Sequence, residues 1–367
     1  MKVLHVEAGM HLYGGARQVV YLLSGLQQQG VESILVCPNG SAVGQAASET
    51  GIVVQETPMG GDLDLALIWR LRRIIQQQKP DLVHLHSRRG ADILGGLAAR
   101  LCGVNSVLSR RVDNPEPPLV VKWKYRLYDR VIAISQGIAE VLRQEGLATQ
   151  KLECVRSAVD VEAFQQSCDM NGFRKLFGLA DDALVMGVVA QLIPRKGHRY
   201  LLQAMQQLVR DFPMLRLLIF GKGPLKTELE GQIVAMNLQQ HVIMAGFRKD
   251  LPNILPCLDL LVHPALMEGL GIALLQGASA GLPIVAVDAG GMPEVVEDGV
   301  NGFLVPGGSV EALGDALSQL LANETLRRQM GESGREKMRR SFSVEQMVEG
   351  NLQVYRKLLG PGFPDTV

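Results

Sequence analysis

The stretch HPALMEGLGIALLQGASAGLP, His263 to Pro283, decides how this chain is read. An apolar run from Leu260 to His263 stops at a proline, Glu268 follows, and Gly269 and Gly271 bracket Leu270 before helix-forming residues resume. A strand that ends in a glycine turn and feeds a helix lets backbone come close to a ligand, and the helix start offers unpaired N–H groups to an anion. At ~1.5 Å rise per residue, Glu268 before the helix and Gln276 within it can serve different parts of one extended ligand. A glycine-rich helix boundary with no ligand would carry some of the same residues.

Outward from this block the pattern repeats. Short apolar runs alternate with stretches of helical periodicity, the pattern of βα units around parallel sheets, so the class is α/β. Seven strands are expected before residue 156, at Lys2–Glu7, Ser33–Cys37, Ile52–Gln55, Leu82–His86, Ser106–Ser109, Arg130–Ile134 and Leu152–Val155. Six more are expected at Leu184–Val189, Arg216–Phe220, Val242–Ala245, Leu260–His263, Pro283–Ala286 and Phe303–Val305. This gives two Rossmann-like domains, 1–165 and 180–343, with a linker near 162–182. The last amphipathic stretch, 344–367, follows the second sheet and is expected to pack back on the first domain. In open parallel sheets ligands bind beyond the carboxyl ends of the strands, so function is sought in those loops.

The bulk numbers agree. The chain has 367 residues, 47% hydrophobic and 20% charged, with a formal net charge of zero, which suits a two-domain globular protein and argues against a nucleic-acid binder. No apolar run approaches the roughly 18 residues of a membrane span. The amino terminus reads as a buried strand rather than a secretion signal, which points to the cytoplasm. Five scattered cysteines form no C-x-x-C pair and read as buried free thiols.

Glu268, Gly269 and Gly271, then Gly281-Leu282-Pro283 and Gly290-Gly291 with Glu294, stand in the order E-G-x-G, A-x-G-x-P, G-G-x-x-E. Gly14-Gly15, Arg195-Lys196-Gly197, Gly221-x-Gly223-Pro224 and Asn301-Gly302-Phe303 fall into the same series. This set resembles the retaining GT-B-fold glycosyltransferases of family four over nearly the whole chain. The resemblance implies two Rossmann-like domains facing across a cleft and a nucleoside-diphosphate sugar as donor, with no cofactor and no catalytic metal. Arg195 and Lys196 would take the diphosphate, where negative charge grows as the glycosidic bond breaks. Glu268 would bind donor-sugar hydroxyls and Gln276 the ribose, with Gly14, Gly15, Gly223, Gly269, Leu270 and Gly271 lining the donor and Arg248 beside its base. The resemblance also implies retention without a fixed enzyme nucleophile, the leaving phosphate helping to deprotonate the acceptor.

The chain departs from the pattern in three places. The second acidic residue is Gln276, which bonds a diol without a carboxylate's charge. Gln191 replaces an arginine, whose charge Arg195 is expected to supply. Ser109-Arg110-Arg111 stands where a histidine is usual.

On the acceptor side, His86, Arg88, Arg89, Arg110 and Arg111 lie in ligand-side loops, and Lys122-Trp123-Lys124-Tyr125-Arg126 interleaves cations with aromatics. These suit an anionic acceptor, a cell-surface glycan or lipid-linked sugar, with peripheral contact at the inner face of a membrane. His84 and His86 share a strand face but show no third metal ligand nearby. Asp62-Leu63-Asp64 precedes a helix and reads as an N-cap. A nicotinamide enzyme would need G-x-G-x-x-G, and Lys226 stands in place of the third glycine after Gly221-Lys222-Gly223. A non-catalytic sugar-nucleotide binder and a GT-B epimerase or hydrolase are the alternatives.

Overall fold

The computed structural model describes residues 1–86 and 90–360, so Arg88 and Arg89 lie outside the described residues. The chain divides into two compact units, Met1–Ala158 with Val344–Val367, and Val159–Ser343.

The first unit carries strands β1 (Lys2–Val6), β2 (Glu32–Cys37), β3 (Val53–Glu56), β4 (Leu82–Leu85), β5 (Asn105–Arg110), β6 (Arg130–Ala133) and β7 (Leu152–Cys154). All pair in parallel, in the order β3-β2-β1-β4-β5-β6-β7. Between them run α1 (Gly14–Gln28), α2 (Ala42–Glu49), α3 (Ala66–Gln78), α4 (Ala91–Cys102), α5 (Pro118–Lys124) and α6 (Gln136–Gln144). Strands buried on both faces are mainly apolar, as in β1, β2 and β4, where His5, Ser33 and His84 are the buried polar exceptions. One core joins α3, α4, α5 and α6 to the sheet; a second lies under α1 and under the final helix of the chain, Val344–Leu359. That helix belongs to the first unit. It packs against α1 where Gly25 has no Cβ, a position at which one would stand 2.4 Å from Val348 Cγ2.

The second unit opens with α7 (Met170–Phe177) and holds β8 (Leu184–Val189), α8 (His198–Asp211), β9 (Leu215–Phe220), α9 (Lys226–Ala235), β10 (Val242–Gly246), α10 (Leu251–Ile254), β11 (Leu260–His263), α11 (Ile272–Ser279), β12 (Ile284–Val287), α12 (Met292–Val295), β13 (Gly302–Val305), α13 (Val310–Ala322) and α14 (Glu324–Ser341). The final helix, Val344–Leu359, is α15. The second unit's six-stranded parallel sheet runs β10-β9-β8-β11-β12-β13.

Two expectations are corrected. The stretch 162–182 is not a bare linker: a short 3-10 turn and α7 place Phe164 and Phe173 in the second unit's core, so the chain passes into that unit at Val159. Cys168 and Cys257 are joined in a disulfide, so they are not the free thiols expected. The bonded pair is 89 residues apart, and only the folding of 162–182 into the core brings its Cα atoms to 5.2 Å. No described helix is long and apolar enough to cross a membrane. Asp64 accepts from the Gly60 amide at 2.8 Å and pairs with Arg70, while α3 starts without a side-chain cap.

At the centre of the first sheet, His5 on β1 is the cross-strand partner of His84 on β4, and His86 follows just past the strand end. All three rings are buried. His5 Nδ1 lies 2.9 Å from His86 Nε2, while His84 meets the Tyr355 hydroxyl of α15 at 2.5 Å and Ser109 Oγ at 2.8 Å. Burial lowers the pKa of His5 to about 3 and drives those of His84 and His86 well below 6.5, so all three are neutral in the fold. An unfolded chain protonates them from about pH 6.5 downward, so native stability is full above that pH and falls below it, each ring contributing about 1.4 kcal/mol per pH unit. The full chain's thermal midpoint is therefore expected to fall steeply between pH 6.5 and 5. His5→Leu should flatten that slope by about one proton, and an unchanged slope would show that these rings are not the groups responsible.

Candidate functional site

In both sheets the strand order reverses between two central strands, β1/β4 in the first unit and β8/β11 in the second. Crossovers leave in opposite directions there, so the loops part and leave a crevice at the strands' carboxyl ends. The polar groups of each unit gather at that point.

In the second unit Lys196, at the end of a 3-10 turn after β8, and His263, at the end of β11, both reach the Glu268 carboxylate. Lys196 Nζ makes an ion pair with Glu268 Oε2, and His263 Nε2 lies 3.3 Å from the same oxygen. Burial alone would raise the Glu268 pKa, but the His263 hydrogen bond and the Lys196 charge outweigh it and hold it at about 2. Glu268 is a fixed anion. Glycines build this geometry. A Cβ on Gly197 (φ +72°) would stand 1.9 Å from the Pro264 carbonyl, and the Leu266 amide donates to the Arg195 carbonyl at 2.9 Å, so the Lys196 turn and the Glu268 loop touch backbone to backbone. From the other side Gly290 and Gly291 press on the carbonyls of Glu268 and Gly269, each 2.2 Å from where a Cβ would be, and the Gly291 amide donates to the Glu268 carbonyl at 2.9 Å. The G-G-x-x-E glycines thus fix the loop that carries Glu268.

Gly271, in a left-handed conformation, is the N-cap of α11, which lacks a side-chain cap. Leu270 is buried in the core, so only its backbone can face a ligand. Gln276 is half-buried on the second turn of α11. Arg195 is exposed beside Lys196. Gly223 owes its lack of a side chain to packing, since a Cβ would lie 2.4 Å from the Leu192 carbonyl. Arg248 follows β10, two strands from β8 and three from β11. Its guanidinium forks onto Asp250 at 2.8 and 2.5 Å. The exposed Phe247 ring next to it has Lys222 Nζ at 5.2 Å. His198, buried at the start of α8, has no hydrogen-bond partner for either ring nitrogen among the described residues, and burial followed by the nearby His263 and Lys196 lowers its pKa to about 4.

In the first unit a cavity of about 210 Å³ opens at the ends of β1, β4 and β5, lined by Glu7, Gly15, His86, Ser109, Arg110, Arg111 and Lys124. Arg110 and Arg111 divide here. Arg110 is 2% exposed, ion-paired to Glu116 at 3.0 Å and hydrogen-bonded to the carbonyls of Val112 and Asn114, so it staples its own loop instead of standing free for an acceptor. Arg111 instead packs its stem on Gly15 and turns its guanidinium to within 3.4 Å of His86 Nδ1. Burial lowers its pKa to about 10 against the opposing pull of Glu7, so it is charged at neutral pH. Gly14 begins α1, whose amino end has no side-chain cap and no acidic residue in its first turn.

The third imidazole that the sequence did not reveal is His5, and its ring nitrogens with those of His84 and His86 lie within 4.8 Å of one another. The surroundings disfavour a cation. Both nitrogens of His84 are engaged by Tyr355 and Ser109, and the Arg111 guanidinium sits against His86. His263, His198, Glu7, Asp92 and Glu116 were also missed as site residues. Of these only His263 left a signal, standing at a strand end five residues before Glu268.

Comparison with known proteins agrees with this geometry. The family described as "Glycosyl transferases group 1" matches residues 170–337, and "Glycosyltransferase Family 4" matches residues 13–163. The chain is 27% identical over 308 residues to a UDP-Gal:alpha-D-GlcNAc-diphosphoundecaprenol alpha-1,3-galactosyltransferase of Escherichia coli, covering 80% of this chain and 79% of that one. It is 23% identical over 305 residues to an N-acetyl-alpha-D-glucosaminyl L-malate synthase of Bacillus anthracis, covering 81% and 80%. Anabaena HepE in complex with UDP superposes with a TM-score of 0.87 at 20% identity, covering 98% of this chain and all of that one. With two parallel Rossmann-like sheets, a family match to each unit and the E-G-x-G loop held by its glycine clamp, the chain belongs to the group 1 glycosyltransferases of GT-B fold.

Proposed function

We propose that this glycosyltransferase moves a sugar from a nucleoside-diphosphate donor to an anionic, lipid-linked glycan acceptor, with retention of anomeric configuration and without a catalytic metal. The observation that carries the reading is the Lys196–Glu268 pair, joined between the loops after β8 and β11 and held by backbone clamps.

A donor diphosphate beside Lys196 and Arg195 meets positive charge where negative charge develops on the leaving group, and the uncapped start of α11 adds backbone N–H groups. These groups take the place of a divalent cation. Glu268, locked as an anion, accepts hydrogen bonds from donor-sugar hydroxyls. Its immediate partners are an ammonium and an imidazole, a setting for holding a hydroxyl rather than for sharing a proton with a second carboxylate. Retention then rests on the leaving phosphate taking the acceptor proton. Gln276 offers the ribose neutral hydrogen bonds, and Phe247 with Arg248 offers the base an aromatic face.

The acceptor reading rests on the first unit's cavity. Arg111 and the amino end of α1 converge on it, a combination suited to a phosphate. The names of the two relatives, one acting on a diphosphoundecaprenol-linked sugar and one forming a malate glycoside, both place an anion on the acceptor.

Thermal stabilisation by UDP, GDP and ADP tests the donor site directly. One diphosphate is expected to raise the melting temperature equally with and without magnesium, and Lys196→Ala to remove the response. A response that requires magnesium would sink the metal-independent reading. Glu268→Gln should lower kcat by roughly 10²–10³. Because the folded pKa of Glu268 is depressed to about 2, its contribution is complete above its unfolded value of 4.5 and is lost only as pH falls towards 2. Donor affinity should therefore show no carboxylate titration between pH 5 and 8, and a step in that range would contradict the assigned charge state. The two arginines should separate cleanly. Arg111→Ala should raise the acceptor KM with the donor-induced shift intact, whereas Arg110→Ala should cost about 1.5–3 kcal/mol of stability by removing one of the three groups that hold Glu116 and the donor to the Val112 and Asn114 carbonyls. Equal kinetic effects with no stability difference would refute the division.

A further inference from the structure

Helix α5 buries Val121 in the core but otherwise reverses the usual sides of a helix. Its inward side carries Lys124, buried and ion-paired with Asp92 at 2.5 Å and Glu116 at 2.9 Å, and the Tyr125 hydroxyl beside it donates to Glu116 at 2.9 Å. Its outward side carries Leu119, 73% exposed, Val120 and Trp123, 66% exposed. Soluble helices place these residue types the other way round. Cations rim the apolar group: Lys122 and Arg126 are exposed, with the Arg126 guanidinium 5.4 Å from the Trp123 ring centre. From Pro117 to Arg126 there is no acidic residue. The chain has two tryptophans and both are exposed; the other, Trp69 on α3, is 64% exposed and likewise has an arginine, Arg72, over its ring at 5.6 Å. Helices α3, α4 and α5 share one hydrophobic core on the same side of the sheet.

We propose that the outward face of α5, Leu119, Val120, Lys122, Trp123 and Arg126, docks on an anionic lipid bilayer surface. Leucine, valine and an indole enter the boundary between headgroups and acyl chains, while lysine and arginine stay at headgroup level against lipid phosphates. A second copy of the chain fits the face poorly, because a twofold contact brings a patch onto itself and would set Lys122 and Arg126 against their own duplicates. The inward side gives the docking a purpose. Lys124 lines the cavity that also holds Arg111, so one short helix would place that cavity next to the bilayer from which a lipid-linked acceptor comes. This purpose rests on the proposed acceptor class; the docking itself does not.

Trp69→Phe leaves Trp123 as the sole tryptophan, so its fluorescence reports on α5 without a label. The full chain carrying that change would be titrated with vesicles of phosphatidylglycerol mixed with phosphatidylcholine, with pure phosphatidylcholine vesicles, and with brominated lipids. The expected result is a blue-shifted emission and quenching by bromolipid with the anionic vesicles, weakened by salt. Adding Lys122→Glu and Arg126→Glu should reduce binding by about 10-fold or more with the melting temperature unchanged. Should that pair fail to fold, Leu119→Ser alone must weaken binding. Unshifted emission, equal binding to both vesicle types, or α5-dependent dimerisation without lipid would each overturn the proposal. Nucleotide-induced thermal shifts on the same samples separate it from the donor reading: vesicle binding without a nucleotide response upholds the docking and sinks the donor site, and the reverse outcome sinks the docking alone.

Discussion

A parallel sheet that is buried on both faces can offer chemistry only at its ends, and strand order decides where. In each unit the order reverses once, β1 against β4 and β8 against β11, so the crossovers part and leave the loops after those strands unshielded. Glu7 and His86 hang from one such point, with Arg111 reaching in from the next strand, β5, and Lys196, His263 and Glu268 hang from the other. The apolar strands therefore do more than hold the fold, since they determine which polar residues can meet.

Both points then face the same problem of keeping charge out of water. In the second unit the answer is a close ion pair on a clamped backbone: Lys196 and Glu268 lose solvation together, and His263 satisfies the remaining demand on the same oxygen. The glycines at 197, 290 and 291 allow it, because each sits where a side chain would collide with a neighbouring carbonyl. In the first unit a wider network does the work, with Glu116 receiving Arg110, Lys124 and Tyr125. The histidines of β1 and β4 take the opposite course and give up charge altogether.

Much of this could be read in the sequence, and what could not has a common cause. The thirteen strands follow from short apolar runs, most plainly where every residue is buried, as in β4, β11 and β12, because such strands carry their signal locally. The Glu268 block was legible because its glycines and its acid are contiguous. What escaped depends on distant partners. The sequence gives no sign that Cys168 meets Cys257, that His5 completes a trio with His84 and His86, or that Glu116 claims Arg110 while leaving Arg111 to the cavity. Helix α14 leaves a weak signal for another reason: it is polar over most of its length and is held by a few small or flexible contacts, Met330, Gly331, Gly334 and Met338, so it shows little apolar periodicity.

The inverted helix α5 follows from the same economy of charge. Arg110 folds back into the loop after β5 and needs an acid there; Glu116 supplies it, and with Asp92 also nearby the site carries enough negative charge to draw Lys124 inward. Once Lys124 fixes which side of the seven-residue helix faces in, Leu119, Val120 and Trp123 have no inward place left. An apolar outer face costs solvation as long as it meets only water, and the exposure is more readily understood if its usual neighbour is not water. The buried ion network that shapes the cavity and the exposed patch beside it are thus two sides of one packing decision.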